Sequence, residues 1–334
     1  MNVSAFRAYR IHNDDAGYRA GFESMHTNDL SPGEVLVKVA YSSVNYKDAL
    51  AATGTGKILR RPALNGGVDA AGHVVESSDP RFRAGDAVLC AGAGLSETRD
   101  GGYAEFVRLQ AGSTVHLPHG LSLRESMILG SAGFSAALAL YRMHENRQHP
   151  GLGPIAVTGA TGGVGMVAVS VFAQAGFEVH AITGKPERAE ALQHLGAREV
   201  LDRHALAFGA RPLESTRFGG AVDNAGGALL AQLLACTTTN GNVASIGLVA
   251  DSRFTATVMP FILRGVSLLG IGSVVVPADV RDEVWRHLGT DWKPRRLDTI
   301  GSREVALDKL PGSFDAILAG KAFGRTVVKV ASAD

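Results

Sequence analysis

Residues 157–165, with the sequence VTGATGGVG, place a glycine-rich turn between an apolar strand and an apolar helix. In a dinucleotide-binding turn the first small residue permits a tight bend, the second lets backbone approach the pyrophosphate, and the third lets helix and strand pack closely. Ala160, Gly162 and Gly165 fill these places, with alanine where the first glycine is usual. A helix beginning at Gly163 would point free N–H groups at the phosphates. The pattern predicts a dinucleotide-binding βαβ unit, and a tight turn that serves packing alone is the alternative.

Strand-like and helix-like segments alternate through residues 154–276. The strands are apolar throughout, which is typical of a parallel sheet covered by helices on both faces. Before them, residues 123–143 predict a helix in two parts, broken near Gly130 to Gly133, and residues 278–289 predict a further helix.

A different pattern fills roughly the first 120 of the 334 residues. Residues 34–45 alternate apolar and polar side chains like a half-buried strand, and short strand-like pieces separated by glycine, proline and aspartate follow. We therefore expect two domains, the first irregular and rich in β-structure. The segment 325–330 is again strand-like, and composition alone leaves open which domain it joins.

The end of the second strand of the βαβ unit bears on which nucleotide is bound. An NAD site usually has an acidic residue about 20 residues after the turn, bonded to the ribose 2′-hydroxyl. Here the strand ends in Thr183, Gly184 and Lys185, and no acid is present. Thr183 can donate to a 2′-phosphate, Lys185 can pair with it, and Arg203 can add a planar contact. The two basic residues could instead be solvated surface charges, but their joint placement favours NADPH.

Composition excludes several classes of partner and location. The net charge of +1 gives no reason to expect nucleic acid or an anionic membrane as partner. No apolar run is long enough to span a bilayer, and the N-terminus lacks the apolar core of a secretory signal. Cys90 and Cys236 are the only cysteines, which is too few for a disulfide scaffold and favours a reducing cytoplasm.

The number and positions of the cysteines also argue against a zinc site of the kind found in alcohol dehydrogenases with a similar domain organisation. Their structural zinc needs four close cysteines, and their catalytic zinc needs cysteine and histidine ligands. His73 is a conceivable ligand, but neither Cys90 nor Cys236 lies where its partner would be expected, so His73 is predicted to be an ordinary strand residue. Without a metal, the substrates that fit are already electrophilic: an α,β-unsaturated carbonyl or thioester, or a quinone.

Segments along nearly the whole chain resemble a known group of enzymes. They are SSVNYKDALAATGTGKI (42–58), GSAGFSAALAL (130–140), the glycine turn, MPFILRGVSLLGIGSV (259–274) and GRTVVKV (324–330). Together they are similar to zinc-free medium-chain dehydrogenases/reductases, in the branch of acryloyl-CoA reductases and quinone oxidoreductases. The resemblance implies an α/β fold in which a Rossmann doubly wound parallel sheet (residues 123–296) is inserted in a β-rich GroES-like catalytic domain (1–122 and 297–334). It also implies NADPH and a homodimer.

The same resemblance implies roles for particular residues. Tyr46 would lie on the nicotinamide side of the cofactor and donate to a developing enolate or hold the carboxamide, with Asn45 and Asp48 orienting it. The alternatives are a packed aromatic for Tyr46 and a capping carboxylate for Asp48. The implied cofactor-binding residues are Tyr46, Ala160, Thr161, Gly162, Gly163, Val164, Gly165, Thr183, Gly184, Lys185, Arg203, Leu248, Ile262 and Ser273, and no metal is expected.

Two single residues depart from the family's pattern, as does the stretch after Asp223, and Gly272 bears on the substrate more than on the cofactor. Gly66 stands where the family usually has proline, and Gly272 stands where this branch often has aspartate. The leading hypothesis is an NADPH-dependent reductase of activated C=C bonds acting on acryloyl-CoA, with Lys57, Arg60 and Arg61 as candidate contacts for CoA phosphates. The alternatives are an NADPH:quinone oxidoreductase and a non-catalytic NADPH-binding sensor.

Overall fold

The protein is described here by a computed structural model that covers residues 5–330. Its strands are β1 (Phe6–Asp14), β2 (Gly17–Met25), β3 (Val35–Val44), β4 (Ala63–Asn65), β5 (Asp69–Ser77), β6 (Ala87–Ala91), β7 (Phe106–Leu109), β8 (Val115–His116), β9 (Ile155–Thr158), β10 (Val179–Thr183), β11 (Ala197–Asp202), β12 (Phe218–Asp223), β13 (Thr237–Ser245), β14 (Ser267–Gly270), β15 (Arg303–Ala306) and β16 (Thr326–Lys329). Its α-helices are α1 (Tyr46–Thr53), α2 (Leu123–Glu145), α3 (Gly163–Gln174), α4 (Ala189–His194), α5 (Gly227–Cys236), α6 (Met259–Arg264), α7 (Ala278–Gly289), α8 (Leu297–Ile300) and α9 (Pro311–Leu318). Within residues 5–330, no helix is both long and apolar enough to cross a bilayer.

Contacts between residues divide the chain into two compact units. Unit 1 comprises residues up to 131, 273–289 and from 301 onward, and unit 2 comprises 132–272 and 290–300. The sequence placed residues 123–131 and 273–289 in the inserted domain, whereas their contacts lie in unit 1. For α7 the reason is its buried Arg281, whose guanidinium donates to the Gly112 carbonyl at 2.9 Å.

Unit 1 is built on a sheet with strand order β15-β16-β3-β5-β6-β8, in which β7 also pairs with β3. The strand predicted within residues 34–45 is β3, but it is not half-buried: Val35, Val37 and Val39 lie in one core cluster, and Leu36, on the opposite face, lies in another. Strand β16 pairs antiparallel with β3, with Thr326 opposite Val44. The strand-like segment near residue 325 therefore returns to the first domain, as the resemblance implied.

Unit 2 is a six-stranded parallel sheet with strand order β11-β10-β9-β12-β13-β14. Counted from β9, this is the order 3-2-1-4-5-6 of a Rossmann sheet, which confirms the predicted fold. All residues of β9 and β12 are buried, as expected for central strands covered on both faces. The strand order reverses between β9 and β12, which is where such sheets bind ligands.

Helix α2 is broken where the sequence predicted. Gly130 has φ 49° and ψ −154°, a backbone conformation that residues with a side chain rarely adopt. A Cβ at this position would also collide with the Asp69 carboxylate and lie 2.8 Å from Arg325 Nη2. The break places the start of the second half of the helix beside a buried polar cluster described below.

Candidate functional site

The glycine turn of unit 2 has the shape that a pyrophosphate site requires. Gly159 follows β9 with φ +58°, and a Cβ on Gly165 would collide with the Gly159 carbonyl. Glycine at 165 thus lets α3 begin directly against the turn. Ala160, at the first position of the motif, is fully buried, so its methyl group packs inward and leaves the outer surface of the turn free.

The first residues of α3 leave backbone donors available for an anion. Gly162 is the N-cap of α3 and, having no side chain, cannot bond the N–H groups of the first turn. Gly162 is exposed, and Gly163 and Val164 are half-buried. Thr161 is buried, so this residue contributes to the turn from inside. This arrangement fits a pyrophosphate held by backbone N–H groups and the helix dipole.

The residues predicted to bind the adenosine phosphate lie together after β10 and β11. Thr183 is 2% exposed, its hydroxyl lies 3.2 Å from that of Thr161, and it accepts the Lys185 N–H at 3.1 Å. Thr183 therefore fixes the loop. The Arg203 N–H donates to the Thr183 carbonyl at 2.8 Å, which brings the Arg203 guanidinium beside Gly184. Burial lowers the pKa of Lys185, as does the neighbouring charge of Arg188.

Asp223, which ends β12, and Asn224, which follows it, also shape this edge of the sheet, and the sequence analysis did not select either as a site residue. The Thr158 hydroxyl donates to Asp223 Oδ1 at 2.7 Å, and Asn224 Nδ2 donates to the Thr158 carbonyl at 2.8 Å. Asn224 Oδ1 is buried, and within residues 5–330 it accepts no hydrogen bond. Asn224 packs beside Gly159, so this acceptor lies at the glycine turn, where a bound dinucleotide could satisfy it.

The predicted nicotinamide-side residues occupy exposed positions. In unit 2, Leu248 is 60% exposed in the loop after β13, and Ile262 is 72% exposed on α6. Ser273 is half-buried and begins the second segment of unit 1. Gly272, one of the two departures, is exposed at the preceding position. The roles of these residues remain predictions.

In unit 1 the segment Asn45–Asp48 forms the start of α1. Asn45 is the N-cap, Tyr46 is the first helical residue, and the Asp48 carboxylate accepts the Asn45 N–H at 2.8 Å. Asp48 also accepts the Val68 N–H at 2.9 Å and is 1% exposed. These contacts are those of the capping alternative for Asp48. Tyr46 is 40% exposed, so its phenol is available to a ligand while its backbone is fixed.

A buried polar cluster lies directly behind Asn45. The Asp69 carboxylate is fully buried and accepts Asn45 Nδ2 at 2.8 Å and the Ser43 hydroxyl at 2.5 Å. It also accepts the Ser131 N–H at 3.0 Å, at the break in α2. Arg325, which is 3% exposed, lies 3.5 Å from Asp69 and donates to Asn45 Oδ1 at 2.8 Å. Arg325 and Asp69 therefore hold both ends of the Asn45 amide.

Burial sets the electrostatics of this cluster. Desolvation and the nearby charge of Asp69 raise the pKa of Asp48 to about 7. Burial also raises the pKa of Tyr103 well above its ordinary value, and this hydroxyl donates to the Ser43 carbonyl at 3.0 Å. Desolvation lowers the pKa of Arg325, against the opposing attraction of Asp69. With its pKa near 7, the Asp48 carboxyl is divided between its protonated and ionised forms near neutral pH.

The glycine at position 66 has a structural reason. A Cβ there would lie 2.9 Å from the Tyr103 ring and 3.3 Å from Ile11 Cδ1, and both of these side chains are buried. Glycine at this position therefore gives Tyr103 the space to reach Ser43, so Gly66 is tied to the packing of unit 1.

The residues weighed as metal ligands lie apart from one another. His73 is an exposed residue of β5, as predicted, while Cys90 and Cys236 are buried free thiols in different units. Across the described chain, no three His, Cys, Asp or Glu side chains are grouped so that they could hold a metal ion.

Comparisons with known proteins identify the family. Residues 31–119 match the alcohol dehydrogenase GroES-like domain, and residues 163–288 match the zinc-binding dehydrogenase family. The chain is 47% identical over 309 residues to the putative quinone oxidoreductase YhfP of Bacillus subtilis (92% of this chain, 94% of the relative). It is 41% identical over 324 residues to the probable acrylyl-CoA reductase AcuI of Escherichia coli (97% and 99%).

Solved structures extend the same finding. The yhdH oxidoreductase of Salmonella enterica in complex with NADP has a TM-score of 0.93 at 40% identity, covering 97% of this chain and 100% of that one. The Bacillus subtilis protein yhfP with NAD bound also has a TM-score of 0.93, at 44% identity and 98% and 100% coverage. The chain belongs to the medium-chain dehydrogenase/reductase family of oxidoreductases. The resemblance stated from the sequence is thereby confirmed, and NADPH is confirmed as a cofactor bound within this family.

Proposed function

We propose that this chain is an NADPH-dependent reductase of activated C=C bonds, with an acryloyl-CoA-type thioester as substrate. The observation that carries the proposal is Tyr46, a solvent-accessible phenol on a helix start that Asn45, Asp69 and Arg325 hold in place. Relatives that span nearly the whole chain are named for acrylyl-CoA and for quinone chemistry, and both reactions reduce an electrophile that is already activated.

NADPH supplies a hydride to the β-carbon when it is bound. The residues of unit 2 hold it: the backbone at residues 161–164 binds the pyrophosphate, and Lys185 and Arg203 bind the adenosine phosphate. The Tyr46 hydroxyl donates a hydrogen bond to the thioester carbonyl oxygen, which becomes an enolate oxygen as the β-carbon is reduced. Since a donor of this kind interacts more strongly with the developing charge than with the neutral carbonyl, it lowers the barrier.

The choice of a CoA thioester over a quinone rests on the segment after α1. Lys57, Arg60 and Arg61 are all exposed there, and the Arg60 N–H donates to the Glu97 carbonyl at 2.7 Å, which anchors the segment. Three cations on one anchored segment suit the phosphates of CoA, which a quinone lacks. Quinone reduction is the second candidate because the relative at 47% identity is named for it.

The deciding experiment measures NADPH consumption with acryloyl-CoA, a simple enone and a quinone side by side, with NADH as the control. We expect acryloyl-CoA to be the preferred substrate, and Arg60→Ala to raise its KM without changing the KM for the quinone. A quinone rate equal to or above the thioester rate would move the assignment to quinone oxidoreductase. Tight NADPH binding without turnover of any substrate would indicate a sensor.

Tyr46→Phe tests the role of the phenol. Loss of one donor to a developing oxyanion costs about 100-fold in kcat, while NADPH affinity should stay within about twofold, because the change removes one hydroxyl group and keeps the ring. The matched control is Tyr41→Phe, on the half-buried β3 position of the same unit, and its kcat should be that of the wild type. An unchanged kcat in Tyr46→Phe would make Tyr46 a packing residue only.

We also propose a homodimer that forms through the edge of the unit 2 sheet. Strand β14 is at that edge and pairs only with β13 among the described strands. Large exposed apolar side chains are concentrated nearby in sequence: Val258, Met259, Ile262 and Leu263. An unpaired edge with apolar neighbours is a surface that a second copy can cover. Leu263→Lys should convert a dimer to a monomer in light scattering, and a wild-type monomer would refute the proposal.

A further inference from the structure

The turn after β11 carries a histidine beside the proposed adenosine-phosphate site. His204 Nε2 lies 3.4 Å from Arg203 Nη2, and both side chains lie over Gly184. A Cβ built on Gly184 would be 3.1 Å from Arg203 Nη2 and 3.2 Å from His204 Nε2. Gly184 directly follows β10, which is where this fold positions the ribose 2′ group of a dinucleotide.

Backbone contacts fix this turn while leaving the imidazole exposed. The Arg203 N–H donates to the Thr183 carbonyl at 2.8 Å, and the His204 N–H donates to Asp202 Oδ1 at 2.9 Å. His204 itself is exposed. The ring is therefore held near Gly184 by its main chain and is accessible to an anion that arrives there.

The charges around the imidazole come from three elements. Its own turn supplies the Arg203 guanidinium and the Asp202 carboxylate, whose Oδ1 accepts the His204 N–H. The loop after β10 carries Lys185, and the 3-10 helix that follows, which packs against β11, carries Glu187 and Arg188. Since Arg203 can only donate, the His204 Nε2 that faces it is the acceptor in the neutral ring.

We propose that His204 is a ligand of the NADPH 2′-phosphate and takes up a proton from solvent when NADPH binds. This inference rests on the proposed use of NADPH. A dianionic phosphate over Gly184 would accept from Arg203 and from a protonated Nε2 of His204, so the contact between Arg203 and the neutral ring is replaced by two charge-assisted hydrogen bonds to the phosphate. NADH has no 2′-phosphate and offers the imidazole no such partner. The preference for NADPH over NADH is thereby coupled to the binding of a proton by His204.

The test is calorimetric titration of the full-length protein with NADPH at pH 8, in two buffers of different ionisation enthalpy. At this pH an ordinary imidazole is mostly neutral and a phosphate monoester is a dianion, so a proton taken up on binding is bound by the protein and not by the phosphate. We expect NADPH to bind with uptake of a substantial fraction of one proton and NADH to bind with none. His204→Gln should abolish the uptake and weaken NADPH binding about tenfold, since one charge-assisted bond is lost.

His194→Gln is the matched control, because His194 is an exposed histidine of the same unit, on α4. This variant should retain both the uptake and the affinity of the wild type. Wild-type binding without proton uptake, or uptake that persists in His204→Gln, would overturn the inference about His204 alone. Failure of NADPH to bind at all would overturn the proposed cofactor use with it. Failure to reduce thioesters would refute the substrate assignment and leave the calorimetric result unaffected.

Discussion

The candidate site of unit 2 is formed mainly by backbone groups, whereas that of unit 1 is held by buried side chains. In unit 2 the turn at residues 159–165 presents backbone N–H groups. It requires glycine at position 165, because a side chain there would collide with the Gly159 carbonyl. In unit 1 the helix start at Asn45 is held by buried charged side chains, Asp69 and Arg325, that are 256 positions apart in the sequence (325 − 69). A backbone site fails when a side chain is added, whereas a side-chain site fails when one is removed.

Removing Arg325 should give the largest effect. Arg325→Leu leaves the Asp69 carboxylate buried without its cation, which costs about 3–5 kcal/mol. The chain offers a reporter for each unit, since Trp285 lies in unit 1 and Trp292 in unit 2. In urea titrations of single-tryptophan variants, the Trp285 transition should move to lower urea concentration by more than the Trp292 transition. Arg303→Leu, an exposed change on β15, is the control and should move neither.

The pH dependence of unit 1 stability should come next in size. The pKa of Asp48, about 7 in the folded protein, is above the value of about 3.9 in an unfolded chain. The folded state therefore holds a proton that the unfolded chain has released, and the stability contributed by this carboxyl falls as pH rises from about 4 to about 7. The total change is on the order of 4 kcal/mol, since each pKa unit corresponds to about 1.4 kcal/mol.

Asp48→Asn removes this titration. The difference in unfolding free energy between wild type and Asp48→Asn, measured from about pH 5 to about pH 8, should therefore decline up to about pH 7 and then level off. A difference that is constant over this range would mean that Asp48 is ionised throughout, and the cluster would then be a fixed ion network.

Adding a methyl group to the glycine turn should have a smaller effect on stability than the changes above. It should destabilise unit 2 more than unit 1, the reverse of the effect of Arg325→Leu. Gly165→Ala forces α3 away from the Gly159 carbonyl, an overpacking cost of about 1–3 kcal/mol. Here the Trp292 transition should move more than the Trp285 transition. Gly21→Ala is the control because a Cβ there meets no atom within 4 Å, and this change should move neither transition. Equal shifts of both transitions would show that the units unfold as one.

The smallest effect should come from a surface cation of unit 2. Lys185→Ala should weaken NADPH binding about tenfold, the cost of one charge-assisted contact, and leave NADH binding unchanged. Fluorescence titration with both cofactors measures the ratio of the NADH and NADPH dissociation constants. Arg198→Ala, at an exposed position of β11, should leave the ratio as it is. An equal loss for both cofactors would place Lys185 outside the phosphate site.

The contrast between the units also explains how much the sequence could predict. Each of three features depends on neighbouring residues in the sequence, so the local pattern was sufficient to predict it: the turn, the parallel sheet and the break at Gly130. The return of residues 326–329 to β3 came from resemblance, because strand pairing over such a distance leaves no local signal. The contacts of residues 123–131 and 273–289 group them with unit 1, which the sequence did not indicate because helical periodicity does not say which core a helix joins.

The polar cluster of unit 1 was largely missed for a related reason. Asn45 and Asp48 were singled out within their motif, but Asp69 sits in an ordinary strand sequence and Arg325 precedes a short strand. A buried charge and a solvated one look the same in a sequence, and only the fold decides between them. The contacts of Thr183 within its loop were also absent from the sequence analysis, and its predicted contact with the phosphate stays a prediction.

The dependence of Asp69 on Arg325 also bears on the order in which the protein can be completed during synthesis. Residues 132–272 and 290–300, which make up unit 2, leave the ribosome before Arg325 does. Until Arg325 emerges, Asp69 has only neutral donors and a charge that burial would penalise. Unit 2 can therefore fold while Asp69 still lacks its cation, and the interior of unit 1 is completed only after Arg325 has been synthesised.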